Sequence, residues 1–225
     1  MIGRAVIDPA RTKEWLHNSG MFVLLMLLVA IVFVIPVIAP GVSNTNLLWD
    51  VLLALILISG VAAVAEHRKL AVALALLSAV VIALALSEGL APAWRARELR
   101  SLATLGAFLL LAIAVGINVF AFGHALSDRV FGALVLYLLL GVLWAVAYQL
   151  VERLSPGAFS GHTDESGTLA QWAYFSFVTL TTVGYGDMTP VALGARSLAM
   201  LEALVGQLYP AVIIARLVSL QVGSK

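Results

Sequence analysis

Apolar residues in this chain come in long unbroken blocks, without the two-residue alternation of a half-buried strand or the narrow stripe of a surface helix. Six blocks stand out, at 21–39, 47–65, 70–86, 102–122, 130–151 and 193–220. About 20 apolar residues in a helix cross roughly 30 Å of hydrocarbon, so each block predicts a transmembrane helix. The stretch between the last two, 152–189, is more polar and opens with Ser155, Pro156, Gly157, Ser160, Gly161, Asp164, Glu165 and Gly167, a loop composition. Inside it, residues 168–181 turn apolar and aromatic again, yet about four helical turns are too few to span a bilayer. A re-entrant half-helix fits, with Ser166 and Thr168 as candidate N-caps. Non-helical backbone beyond its end is tolerated at membrane depth only where protein or a water-filled path satisfies it, so this segment demands a pore or cavity.

Composition agrees with that frame: 62% of residues are hydrophobic and 11% charged, where soluble domains carry roughly a quarter charged. The net charge of +1 and the scatter of the basic residues leave no basic face for nucleic acid. With no cysteine there is no disulfide framework, thiolate metal site or cysteine nucleophile. His17, His67, His124 and His162 lack ligand spacing, which argues against a membrane enzyme. The first apolar block exceeds signal-peptide length and has no small-residue cleavage site. Residues 1–20 mix Ile2, Val6, Ile7, Trp15 and Leu16 with Arg4, Arg11 and Lys13, which suits either an interfacial helix or a partly ordered tail.

Just after the half-helix stands Thr182-Val183-Gly184-Tyr185-Gly186. A potassium ion entering a narrow pore sheds its water only if oxygens replace it in number and distance, and backbone carbonyls can do so. Successive carbonyls face one way when ordinary and left-handed backbone alternate, which calls for glycine at positions such as Gly184 and Gly186. Thr182 adds a hydroxyl, and Val183 and Tyr185 point away to pack the strand.

The run Thr181-Thr182-Val183-Gly184-Tyr185-Gly186-Asp187 resembles the potassium-channel superfamily signature without a departure. The likeness covers about residues 130–220, while the first four spans match in number and order alone. It implies an all-α membrane protein with six transmembrane helices plus a re-entrant pore helix and filter loop, arranged as a tetrameric pore. Its implied parts are a segment 1–20, a four-helix domain 21–122 like a degenerate voltage sensor, a pore domain 130–220 and a short tail 221–225. Potassium is the permeant ion, held at Thr182, Val183, Gly184 and Tyr185; no cofactor is implied. One pore loop per chain implies a homotetramer in membrane lipid. No cytoplasmic ligand-binding domain is expected in this chain.

The resemblance also assigns supporting residues. The pore helix aims its C-terminal dipole, at residues 178–181, toward the cavity and favours a cation there. An aromatic cuff would be Trp172, Tyr174, Phe175 and Phe177, with Thr181 and Val178 beside it. Tyr174 stands thirteen residues before Asp187, where many relatives place a tryptophan bonded to the aspartate, and its hydroxyl can donate the same bond. Val178 occupies a position where some bacterial relatives have a glutamate. Gly206 follows Gly186 by twenty residues, the family spacing of a gating hinge, and Pro210 one turn later removes a backbone bond; close helix packing is the competing reason for both. Glu202 is ionisable within a span, and is expected behind the filter, hydrogen-bonding the pore helix. Gln207 and Ile214 are the candidate cavity-lining residues.

A voltage-sensing span carries an arginine at every third position. Arg97 and Arg100 have that spacing, but Ala103, Gly106, Leu109 and Ala112 continue it without charge, so the pair reads as an interfacial anchor on the loop before the fourth span. The filter side is taken as external and both termini as cytoplasmic in the cell membrane, with eight basic residues then inside against five outside. The function implied is passive potassium conduction without strong voltage dependence. A weakly selective cation channel or a regulatory, non-conducting subunit is the alternative, and Tyr185 argues against the first, since looser relatives replace it.

Overall fold

A computed structural model describes residues 20–38, 45–65, 67–86, 93–120, 126–161 and 168–222. Seven helices account for nearly all of them: α1 (Gly20–Ile38), α2 (Thr45–Ala63), α3 (Arg68–Leu86), α4 (Ala93–Phe120), α5 (Leu126–Leu154), α6 (Leu169–Leu180) and α7 (Leu193–Val222). Two short strands, β1 (Phe159–Ser160) and β2 (Thr189–Pro190), flank α6 and the segment after it. Five of the helices, α1, α3, α4, α5 and α7, are long and apolar enough to cross a membrane, and α2 offers a shorter apolar stretch at Val51–Ala63. The chain is an all-α integral membrane protein.

The helices follow the apolar blocks closely, with one informative departure. The arginine-bearing stretch before the fourth span, expected as a loop, is the first part of α4. A hydropathy scan ends at the first charges, whereas Ala, Arg, Glu and Leu are all good helix formers and carry the helix on. The interfacial helix suggested for residues 1–20 falls outside the described residues except for Gly20, which begins α1.

Inside α1 the hydrogen-bond ladder widens to a π turn at Ala30–Val34, directly before Pro36. Proline has no N–H for the carbonyl four residues back and its ring crowds that carbonyl, so the ladder there must loosen. The same turn brings Phe33 to within 6.3 Å of the Phe177 ring on α6.

α4 is the central packing element, lying against α2, α3 and α5. Phe108, Leu111 and Val115 are fully buried there, and Gly60 of α2 lets Leu111 approach. Arg153 near the end of α5 donates to Ser101 Oγ of α4 at 2.7 Å, so the start of α4 and the end of α5 share one side of the bundle. Tyr209 ties α7 to α5 by donating to the Ala133 carbonyl at 2.7 Å.

Candidate functional site

The half-helix at 168–181 forms as α6, and its ends show why. Thr168 Oγ1 accepts from the Gln171 N–H at 3.4 Å while Gln171 Oε1 accepts from the Thr168 N–H at 3.1 Å, a reciprocal capping box. Ser166, the other candidate cap, lies outside the described residues. At the far end Thr181 donates both its N–H (3.0 Å) and its hydroxyl (2.6 Å) to the Phe177 carbonyl. The Val178 carbonyl then accepts from the N–H groups of Val183 (3.0 Å) and Gly184 (3.2 Å). Val178 therefore holds the start of the 182–186 segment through its main chain.

Beyond α6 the backbone has positive φ at Thr182 (61°), Gly184 (58°) and Gly186 (79°). Left-handed backbone thus recurs at every second residue. Glycine takes it freely, whereas Thr182 is the sole non-glycine with positive φ among the described residues and bears a cost of about 1–2 kcal/mol. A side chain on Gly184 or Gly186 would meet nothing within 4 Å, so backbone conformation rather than space selects glycine there. Residues 181–187 are all exposed, and Val183 and Tyr185 stand 53% and 71% open rather than packed within the chain.

The far end of the segment is held by Tyr174. Its hydroxyl donates to Asp187 Oδ2 at 2.8 Å, and its ring stacks on Tyr185 with centroids 6.5 Å apart and planes 6° apart. That hydrogen bond holds the Asp187 carboxyl below the usual aspartate range. The other expected cuff rings make contacts within the chain. Trp172 and Phe175 are buried against Phe159 of β1, at 5.0 and 5.5 Å, and Phe175 also meets Tyr148 of α5 at 4.9 Å. Phe177 lies over Gly141 of α5, where an added methyl would overlap its ring.

Behind α6 lies Glu202, 0% exposed. Tyr148 Oη on α5 donates to its Oε2, and Ser176 Oγ on α6 stands 2.5 Å from its Oε1 and 2.8 Å from the Gly141 carbonyl oxygen. One carboxyl group thereby joins α5, α6 and α7. Gly206, one turn on, is buried where α7 crosses the end of α6, and a methyl there would run into the Leu180 carbonyl. α7 stays helical through Gly206 and Pro210, although Pro210 has no N–H to offer the Gly206 carbonyl. Gln207 and Ile214 lie on the exposed face of α7, away from Glu202.

Four residues that the sequence did not mark as site residues complete the frame. Glu152 at the end of α5, 2% exposed, accepts from the N–H groups of Gly157 (2.7 Å) and Phe159 (3.0 Å). β1 pairs antiparallel with β2, Ser160 opposite Thr189, their hydroxyls 2.7 Å apart. Gly161, with φ of 90°, lies so close to the Asp187 carbonyl that no side chain fits. A glutamate closing an apolar span and a glycine following Ser160 were the available signals. Among the described residues no group of three His, Cys, Asp or Glu side chains is placed to hold a metal ion.

Known proteins match this same region. A family model described as "Ion channel" covers residues 132–222. Protein LctB of Bacillus caldotenax is 38% identical over 87 residues, 36% of this chain and 64% of LctB. The human potassium voltage-gated channel subfamily A member 4 is 35% identical over 89 residues, 38% of this chain and 13% of that protein. The inward rectifier potassium channel Kirbac3.1 of Paramagnetospirillum magnetotacticum is 38% identical over 77 residues, 32% of this chain and 23% of its own length. The chain thus matches less than two thirds of each of these relatives, and its first four helices lie outside the family match. Residues 132–222 thus match an ion-channel family model and are similar in sequence to proteins named as potassium channels.

Proposed function

We propose that this chain is one subunit of a potassium-selective channel in which four copies surround a permeation path lined by residues 182–186. The observation that carries the reading is the recurrence of left-handed backbone at Thr182, Gly184 and Gly186 directly beyond a capped half-helix. That alternation turns successive carbonyls to one side, where they can replace the water of a potassium ion at Thr182, Val183, Gly184 and Tyr185. The exposure of Val183 and Tyr185 supports assembly, because partner subunits must supply the packing that one chain leaves open. The similarity to proteins named as potassium channels points the same way.

In this reading residues 130–220 are the pore domain and 21–122 a four-helix membrane domain, with six spans in all and both termini cytoplasmic. The link from Arg153 to Ser101 supports placing the arginine-bearing start of α4 on the filter side. Gln207 and Ile214 face the cavity, and Gly206 with Pro210 forms a bend where α7 already lacks a backbone bond. With no charge continuing the series of Arg97 and Arg100, gating depends little on voltage.

Flux into proteoliposomes under potassium or sodium gradients tests the reading, with Gly184→Ala alongside. Potassium flux well above sodium flux, lost in the variant, is expected; equal permeability to the two ions overturns selectivity. A steep sigmoidal rise of open probability with voltage in planar bilayers would contradict the gating claim.

A further inference from the structure

The contacts around Glu202 do not balance if its carboxyl group is ionised. Three close oxygen pairs are present: Tyr148 Oη with Glu202 Oε2, Ser176 Oγ with Glu202 Oε1 at 2.5 Å, and Ser176 Oγ with the Gly141 carbonyl at 2.8 Å. Each needs a proton between its oxygens. Tyrosine and serine hydroxyls bring one each, and a carbonyl and a carboxylate bring none. Two protons cannot serve three bonds, so the third must be the carboxyl proton of Glu202 itself.

Among the described residues, the elements packed around Glu202 offer no countercharge that would favour an ionised group instead. On α5, the titratable groups facing Glu202 are Tyr148 and, at longer range, Tyr137. α6 carries no charged residue, and its tyrosine, Tyr174, is engaged with Asp187. α1, which touches α6 through Phe33, is uncharged throughout Gly20–Ile38. On α7, residues 197–215 contain no charge besides Glu202, and Arg196 donates to the Pro190 carbonyl at 3.2 Å. Glu152 at the end of α5 is bonded to backbone N–H groups of 157 and 159. Burying a lone carboxylate here would leave its charge uncompensated.

We infer that Glu202 is held as the neutral carboxylic acid, and that its proton completes a hydrogen-bonded chain from Tyr148 through Glu202 and Ser176 to the Gly141 carbonyl, fixing the pore helix between the outer and inner helices. When hydroxide removes that proton, the carboxyl O–H bond breaks and its electron pair stays on the carboxylate. The single Ser176 proton then turns to the stronger, charged acceptor. The Gly141 carbonyl is left facing a serine oxygen with no proton between them, and α6 loosens against α5 directly behind residues 182–186. Glu202 is thus a positioning residue that makes the filter sensitive to alkaline pH; this functional half rests on the proposed channel activity.

Glu202→Gln separates the possibilities, because an amide donates to Ser176 and accepts from Tyr148 as the neutral acid does but carries no removable proton in this range. The full chain in lipid vesicles is measured by infrared difference spectroscopy and by potassium flux as pH is raised from about 7 to about 10. The expected result is a protonated-carboxyl C=O band at neutral pH that disappears in E202Q. Wild-type flux should fall by about fivefold over the range, the worth of one hydrogen bond, while flux through E202Q stays flat. Ser176→Ala gives a second reading should E202Q assemble poorly: loss of the acceptor shifts the same band without removing it. The inference is overturned if neither variant alters a protonated-carboxyl band at neutral pH, or if E202Q retains the wild-type pH response. Absence of flux at every pH overturns the channel reading alone, since the band reports on Glu202 whether or not ions pass.

Discussion

Replacing Gly206 by alanine sets helix propensity against packing. In an exposed helix interior the change stabilises by about 1 kcal/mol, because glycine pays the larger backbone entropy. At this position the new methyl meets the Leu180 carbonyl, with the Leu180 carbonyl carbon 2.7 Å and its Cα 2.9 Å away. These are backbone atoms at the end of α6, two residues before Thr182, and unlike a flexible side chain they cannot swing aside. Overpacking costs about 1–3 kcal/mol, and a rigid obstacle places this case near about 3. Subtracting about 1 kcal/mol of propensity leaves a net loss of about 2 kcal/mol, a fall of about 4–8 °C in Tm for a chain of this size. Thermal unfolding of the purified protein by tryptophan fluorescence measures it, with Gly194→Ala as the control, since a methyl there meets nothing within 4 Å. If Gly206 served only as a flexible hinge, G206A would unfold at or above the wild-type temperature. That result refutes the packing argument.

Removing the Tyr174 hydroxyl with Tyr174→Phe frees Asp187 just beyond residues 182–186. Because the bond holds Asp187 below its ordinary pKa, its contribution is complete above that ordinary value and is lost as pH falls through the lowered one. The Tm difference between wild type and Y174F should be full at neutral pH and shrink below about pH 4; a difference independent of pH contradicts this. Glu152→Ala strands the N–H groups of 157 and 159 and is expected to cost about 2–4 kcal/mol, read as a lower Tm and faster proteolysis near β1; an unchanged Tm would mean that water replaces the carboxylate without loss.

Much of this architecture is written locally. Apolar block length marks the spans, and Thr168 with Gln171 marks the start of α6 three residues apart. Gly184 and Gly186 announce left-handed backbone, but Thr182 shares it, and a threonine gives no such sign. What the sequence hides is pairing at a distance. Glu202 is visible as a costly charge in a span, yet its partners Ser176 and Tyr148 stand 26 and 54 residues away, and only helix packing selects them among many hydroxyls. Gly141 reads as one more small residue of a membrane helix until the Phe177 ring lies across it. The start of α4 stays hidden for the opposite reason: its charges end an apolar block while its residues still favour the helix.

The pairing of Ser160 with Thr189 turns the twenty-nine-residue separation between them into a loop whose two ends touch. Everything between them, the half-helix and residues 182–186 alike, is inserted through one narrow neck between α5 and α7. Such an insert is anchored by its ends, and the entropy of closing it grows only with the logarithm of its length. The neck therefore fixes where the insert begins and ends, but a segment spliced at 160 and 189 would also have to keep the seats that Ser176, Phe177 and Leu180 take against Glu202, Gly141 and Gly206.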